Sequence, residues 1–143
     1  MNDDRLQAQG AFLLRISLGI IYVAHSLYLK LFVFTLPGTA QFFDSIGLPG
    51  FLAYPVFAVE AIGGVALILG LYVRPVALAL VPVALGATWA HLGAGWLFSN
   101  AGGGWEYPLF LAVATSAQAL LGEGAYALLR PGAVPALAAR ANA

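Results

Sequence analysis

A chain of 143 residues is the length of one domain, but 62% hydrophobic and 8% charged residues put it far from a soluble one, which carries about 45–50% apolar and about 25% charged residues. Six basic residues balance six acidic ones with no basic run, which removes nucleic acid as a partner. The absence of cysteine excludes disulfide exchange, iron–sulfur clusters, thiolate metal sites and covalently attached haem.

The solvent of such a chain is lipid, and an all-α bundle of four transmembrane helices is predicted, since a spanning helix needs about 20 mostly apolar residues. The first window runs from Phe12 to Phe34 and carries Arg15, His25 and Lys30. A cleaved signal peptide fits it poorly, because Asp3 and Asp4 outweigh Arg5 and an apolar signal core would not hold Arg15 and His25. Thr35 to Gly50 connects to the next window, and Gln41, Phe42, Phe43, Asp44 and Ile46 predict a short amphipathic segment lying along the membrane surface. The second window, Phe51 to Val73, has Glu60 as its charge, and Arg74 alone separates it from the third, Pro75 to Phe98. His91 is ionisable there, and Pro82 predicts a kink. Ser99 to Gly104 reads as a flexible turn, and the fourth window opens at Glu106 or Tyr107 and runs to Leu121 or Leu129. Pro55, Pro75 and Pro108 stand near helix starts, where proline loses only a donor without an intrahelical partner. Residues 1–130 thus read as a single four-helix domain and 131–143 as a flexible cytoplasmic tail.

Orientation follows from the basic residues. Four spans put Arg5, Arg15, Arg74, Arg130 and Arg140 on one side and Lys30 on the other, so both termini are expected in the cytoplasm.

An ionised side chain at the centre of a spanning helix costs about 2.5–3.5 kcal/mol by insertion scales, so such groups face the bundle interior and become functional candidates. Glu60 lies ~13 Å inside the outer end at a rise of about 1.5 Å per residue. A carboxylate there must be paired, protonated or hydrated. His25, His91 and Glu106 fall in the same half of the membrane, one from each remaining span, and are expected to converge with Glu60 on one cavity. Arg15, Gly19, Tyr22, His25, Ser26 and Leu29 share one stripe of span one. Span two places Gly63 and Gly64 one turn from Glu60, and span four offers Tyr107, Ala114 and Gln118 along one side. Bland readings stand beside these. Arg15 and Lys30 could snorkel to the interface, the histidines could be interhelical hydrogen-bond partners, and Trp89, Trp96, Trp105 and Tyr107 could form the outer aromatic belt or stack on a flat ring.

Arg15 and Gly19 followed by His25 and Lys30, then Glu60-Ala-Ile-Gly63-Gly64 ending in Leu69-Gly70, then His91, Trp96 and Gly104-Trp105-Glu106-Tyr107-Pro108-Leu109, resemble the DoxX family of small four-helix bacterial inner-membrane proteins. The likeness covers roughly Leu14 to Leu129. Members of that family commonly read His-Gly with a lysine four residues after the histidine. Here Ser26 replaces the glycine and Lys30 comes one residue later, so the lysine's rotational position and any role shared with His25 are not carried over. The resemblance implies a place in quinone-linked redox chemistry, as in the small subunit of an archaeal thiosulfate:quinone oxidoreductase or in partners of detoxification and oxidative-stress systems.

Three functions stay open at this point. In a quinone-binding or accessory component of an oxidoreductase, His25 or His91 would hold a ring carbonyl and Glu60 would exchange the proton that accompanies electron transfer. Trp96 or Trp105 would form the stacking wall, with Arg15, Tyr22, Glu106 and Tyr107 as further ligand-binding candidates. That chemistry needs a redox partner protein, because the chain offers no second redox centre, and further copies of the chain are also open as partners. A small-ligand or ion transporter would use the same groups, and a structural subunit would use them to specify packing. A metal held by His25, Glu60, His91 and Glu106 is imaginable from the donor types, although no close spacing along one helix supports it. A haem held by His25 and His91 would use both histidines.

Overall fold

The computed structural model describes residues 3–129, and the expected tail at 131–143 lies outside them. Every regular element in the described residues is helical. Helix α1 spans Asp3–Val23 and continues without a break into a π-helix, Ala24–Val33. Asp3 and Asp4 occupy its first turn, where carboxylates oppose the helix dipole. At the join the Ser26 hydroxyl donates to the carbonyls of Tyr22 at 2.8 Å and Val23 at 3.3 Å. A hydroxyl set against the backbone ladder in this way bends and loosens it.

The predicted surface segment is the ten-residue helix α2, Leu36–Ser45. Thr35 opens it, its side chain accepting from Gly38 N–H at 3.2 Å, as an N-cap should. A 3₁₀ turn, Gly50–Leu52, leads into α3, Ala53–Leu69. Gly70 then takes a left-handed conformation with φ +70°, the geometry that favours glycine at a helix end. Helix α4, Val73–His91, follows at once. Arg74 therefore sits in the first turn of α4, and Gly70 to Tyr72 form the connection instead. Pro82 stands inside α4 on an exposed face, and the helix is continuous through it. The third window ends earlier than Phe98, because Leu92–Ala94 tightens to a 3₁₀ turn and Gly95 leaves it at φ +84°. Helix α5 covers Glu106–Leu121.

These helices form a membrane bundle. Three stretches, Asp3–Val33, Gly50–Leu69 and Val73–Ala94, are long and apolar enough to cross a bilayer. The fourth, α5, has 16 residues and rises only about 24 Å. It packs chiefly on α4 and secondarily on α1, while α1 packs on α3. Leu18, Tyr22, Leu67, Leu80, Ala84 and Leu111 are among the side chains filling the centre, and Leu13, Ile62, Phe110 and Leu120 point outward into lipid. Helices α1 and α3 touch through backbone. A Cβ added at Gly19 would lie 2.8 Å from the Gly64 carbonyl oxygen, and one at Gly64 would lie 3.0 Å from that of Gly19. Small residues at a crossing allow this approach, and it brings Glu60, one turn before Gly64, close to the end of α1.

The two ends of the bundle differ. At the basic end, near Arg15 and Arg74, residues Gly122 to Leu129 fold back as a strap. Ala125 N–H bonds to the carbonyl of Ala8, and the N–H groups of Leu128 and Leu129 bond to those of Leu69 and Gly70. Tyr126 meets Phe12 edge to face at 5.1 Å between centroids. The tryptophan end carries the α4–α5 loop, closed by bonds from Trp105 N–H to the Gly95 carbonyl and from Glu106 N–H to the Trp96 carbonyl.

Candidate functional site

The centre of the site is an ion pair. Lys30 Nζ, from the π-helix, donates to Glu60 Oε2 of α3 at 2.6 Å, with side-chain exposures of 18% and 7%. It is the one salt bridge among the described residues. Two charges drawn out of water hold together only when the partner supplies both charge and hydrogen bond, and Lys30 supplies both. The snorkelling reading of Lys30 is thereby corrected, because its ammonium turns inward to the carboxylate. The π-helix makes this possible. Residues five apart in an α-helix stand about 140° apart around the axis, whereas the wider turn of i→i+5 hydrogen bonding brings them within about 50°, on the same side. Lys30 thus returns to the side of His25, and the two lie within Coulombic reach.

Around the pair stand groups from α1, the π-helix and α5. The His25 ring meets the Tyr107 ring at 6.1 Å and 85°. Tyr22 Oη lies 2.8 Å from Thr115 Oγ1, fully buried. The one hydroxyl proton of Thr115 goes to the Leu111 carbonyl at 2.7 Å, so Tyr22 donates and Thr115 accepts. Tyr22 is within Coulombic reach of both Glu60 and Tyr107. Tyr22, His25, Lys30, Glu60, Tyr107 and Thr115 therefore make one polar cluster inside an apolar bundle.

The remaining sequence candidates are held elsewhere. His91 Nδ1 donates to the Ala87 carbonyl at 2.8 Å, and its ring edge lies beside Gly103 in the α4–α5 loop. Glu106 Oε1 accepts from Phe98 N–H at 2.9 Å and so staples that loop. His25, Glu60, His91 and Glu106 do not close into a cage, and among the described residues no three histidine, aspartate or glutamate side chains come together to hold a metal. Arg15 is buried at the basic end. Nη1 donates to the carbonyls of Leu67 at 2.7 Å and Ile68 at 3.1 Å, and Nη2 to that of Ala125 at 2.9 Å.

Trp96 and Trp105 stack edge to face at 4.4 Å. Beside them a groove of about 510 Å³ runs along the outer surface of α5, lined by Trp96, Phe98, Glu106, Tyr107, Phe110 and Val113. Tyr107 belongs to both groove and cluster, and so connects them. Sequence reasoning missed Lys30 as the partner of Glu60 and Thr115 as that of Tyr22. The signal for Thr115 was present, since it adjoins the Tyr107, Ala114 and Gln118 side of α5. The signal for Lys30 was hidden by assuming an α-helical period.

Residues 10–93 match the DoxX family. The chain belongs to the DoxX family. Arg15, His25, Lys30, Glu60 and His91 all fall inside the matched residues, while Trp105, Glu106 and Tyr107 lie beyond them. This DoxX protein is also similar to a Bacillus subtilis (strain 168) protein named "Putative oxidoreductase CatD", 49% identical over 65 residues that cover 46% of each chain. The match thus spans less than half of that relative's length. No solved structure matches this DoxX chain.

Proposed function

We propose that this DoxX-type membrane protein is the quinone-binding membrane component of an oxidoreductase system. The observation that carries the reading is the Lys30–Glu60 pair, buried in the bundle and joined through His25 and Tyr107 to an aromatic groove that opens toward lipid. A flat, lipid-soluble ring with two carbonyls suits that arrangement. The groove supplies aromatic edges, Tyr107 and His25 supply hydrogen-bonding groups, and Glu60 supplies a carboxyl that Lys30 can pair or release. When bound, a quinone would supply the electron-accepting chemistry. The residues of this chain would orient the ring, exclude water and hold the proton at a Glu60 oxygen. The name of the Bacillus relative supports an oxidoreductase setting, and a redox partner protein would deliver the electrons. The proposed location is the bacterial inner membrane, with both termini in the cytoplasm.

Gentle purification followed by solvent extraction tests the reading. Wild-type protein is expected to yield quinone in near-stoichiometric amount, and Glu60→Gln, which keeps the shape but cannot titrate, to insert normally and lose most of it. Equal quinone content in the two, or none in either, would leave Glu60 and Lys30 as packing groups of a structural subunit.

A further inference from the structure

Further buried polar groups stand on α1 and α5, two helices that pack along a seam, with Arg15 at its foot bonded to the end of α3 and to the strap. Toward the basic end come the Tyr22–Thr115 bond, then Gln118 one turn further along α5, then Arg15 two turns below Tyr22. Tyr22 is 1% exposed, and Thr115, Gln118 and Arg15 are 0% exposed. Gln118 Nε2 donates to the Gly122 carbonyl at 2.7 Å. Gln118 Oε1, an acceptor, and Arg15 Nε, a donor, have no hydrogen-bond partner among the described residues. Buried polar atoms are seldom left so, and where protein supplies no partner a water commonly does. Hydroxyls, an amide and sites for water in one seam are what carries a proton through lipid. Joined to a carboxyl that takes and releases protons, the seam would let protons leak through the bundle unless something closed it.

Arg15 stands at its lower end. A guanidinium stays protonated in proteins, and a fixed positive charge in a narrow, low-dielectric passage turns back protons and other cations. The strap adds a cover, since Ala125 is both an acceptor for Arg15 and a donor to Ala8. Glu123, within Coulombic reach of Arg15, offsets part of the charge without reaching it by a hydrogen bond.

We infer that Arg15 and the strap form a proton-excluding plug, so that Glu60 exchanges protons with the tryptophan end of the bundle alone. The inference rests on Glu60 being a proton-exchanging carboxyl, as proposed above, but not on quinone. In each exchange one proton leaves the aqueous phase at the tryptophan end and adds to a Glu60 oxygen, and nothing is oxidised or reduced. Against Glu60 stand Lys30 from the π-helix, bonded to it, and Tyr22 from α1; one step further out, His25 lies within Coulombic reach of Lys30 and Tyr107 within that of Tyr22. From α4 the neighbour one turn along is Leu80, against Gly63, and the one acid of α2, Asp44, is bonded to Gly50 N–H.

Liposomes holding the full chain and an internal pH dye, driven by a potassium diffusion potential, test the plug. Wild-type protein should give the proton flux of protein-free liposomes. Arg15→Gln should raise it about tenfold or more, as removing about 1.4 kcal/mol of barrier does, and adding Thr115→Val should return it to wild type by cutting the seam. Arg15→Lys, which keeps the charge but not the three-carbonyl grip, should stay tight even as the strap amides exchange faster. An inserted Arg15→Gln without leak overturns the plug, and so does a leaking Arg15→Lys. Wild-type protein gives a second test that does not depend on those variants inserting. In vesicles of one orientation, the infrared carboxyl band that Glu60→Gln abolishes should follow pH at the tryptophan end. A band that follows pH at the basic end, or neither side, overturns the inference, whereas quinone content measured on the same sample reports separately on the functional reading.

Discussion

Glu60 and Lys30 are worth more together than apart. Removing one partner of a buried ion pair leaves an uncompensated charge and costs about 3–5 kcal/mol, whereas replacing both with neutral groups costs far less. Lys30→Met should therefore destabilise the bundle by about 3 kcal/mol, near the lower bound because the lysine is 18% exposed. Lys30→Met combined with Glu60→Gln should recover most of that loss. Unfolding in mild detergent across the four members of this double-mutant cycle measures the coupling, and additive losses would deny it. Tyr22→Phe removes one buried hydrogen bond and should cost about 1 kcal/mol, leaving the Thr115 bond to Leu111 in place. Residue chemistry was legible in the sequence to this extent: a carboxylate ~13 Å deep required a partner, and Glu60 has one. Which residue it would be was not legible, because the cation lies five positions beyond His25 and only a π-helical period turns it inward.

Elements were easier to read than their joins. Hydropathy and breakers placed the helices in order, since apolar length decides what a bilayer accepts, but not their ends: α1 begins at Asp3 rather than Phe12 and α4 ends at His91 rather than Phe98. The turns depended on left-handed residues that no periodicity announces, such as Gly70 and Tyr72 at φ +70° and +46°. The π-helix explains both departures from the commoner family pattern. One extra residue between histidine and lysine is absorbed by widening the turn, and Ser26, in place of glycine, bonds the carbonyls at the join. Deleting Leu27 should convert the segment to a regular α-helix and still leave Lys30 facing Glu60. The absence of cysteine makes the check direct. Single cysteines across residues 24–33 should show labelling with a π period in the parent and an α period in the deletion, and identical periods would contradict this account. At the α1–α3 crossing, Gly19→Ala would set its Cβ 2.8 Å from the Gly64 carbonyl. Such overpacking typically costs about 1–3 kcal/mol, readable as a lower midpoint in thermal unfolding.

At the scale of the whole molecule, the two ends differ in composition. Among the described residues Arg5, Arg15 and Arg74 lie toward one end, and the three tryptophans with the outer groove lie toward the other. The five-to-one bias of basic residues predicts that the arginine end faces the cytoplasm. A reporter fused after Ala143 and active only outside the cytoplasm should stay silent, and an active one would reverse the proposed orientation. The sequence led to expecting one titratable group from each helix in a common cavity. His91 and Glu106 have hydrogen-bond partners within their own turn or loop, which was not legible because side-chain type says nothing of local carbonyls and N–H groups.

The strap also sets an order of events during synthesis. Arg15 leaves the ribosome early, yet one of its three carbonyl partners, Ala125, is made more than a hundred residues later and two others lie at the end of α3. Until then the first helix holds a guanidinium in lipid without its full set of acceptors, so it has reason to linger at the insertion machinery or beside α3. The last described segment thus completes the first helix. A chain stopped at Leu121 should insert its apolar helices and then be cleared by quality-control proteases, which a pulse–chase comparison with the full chain would reveal as a shorter lifetime.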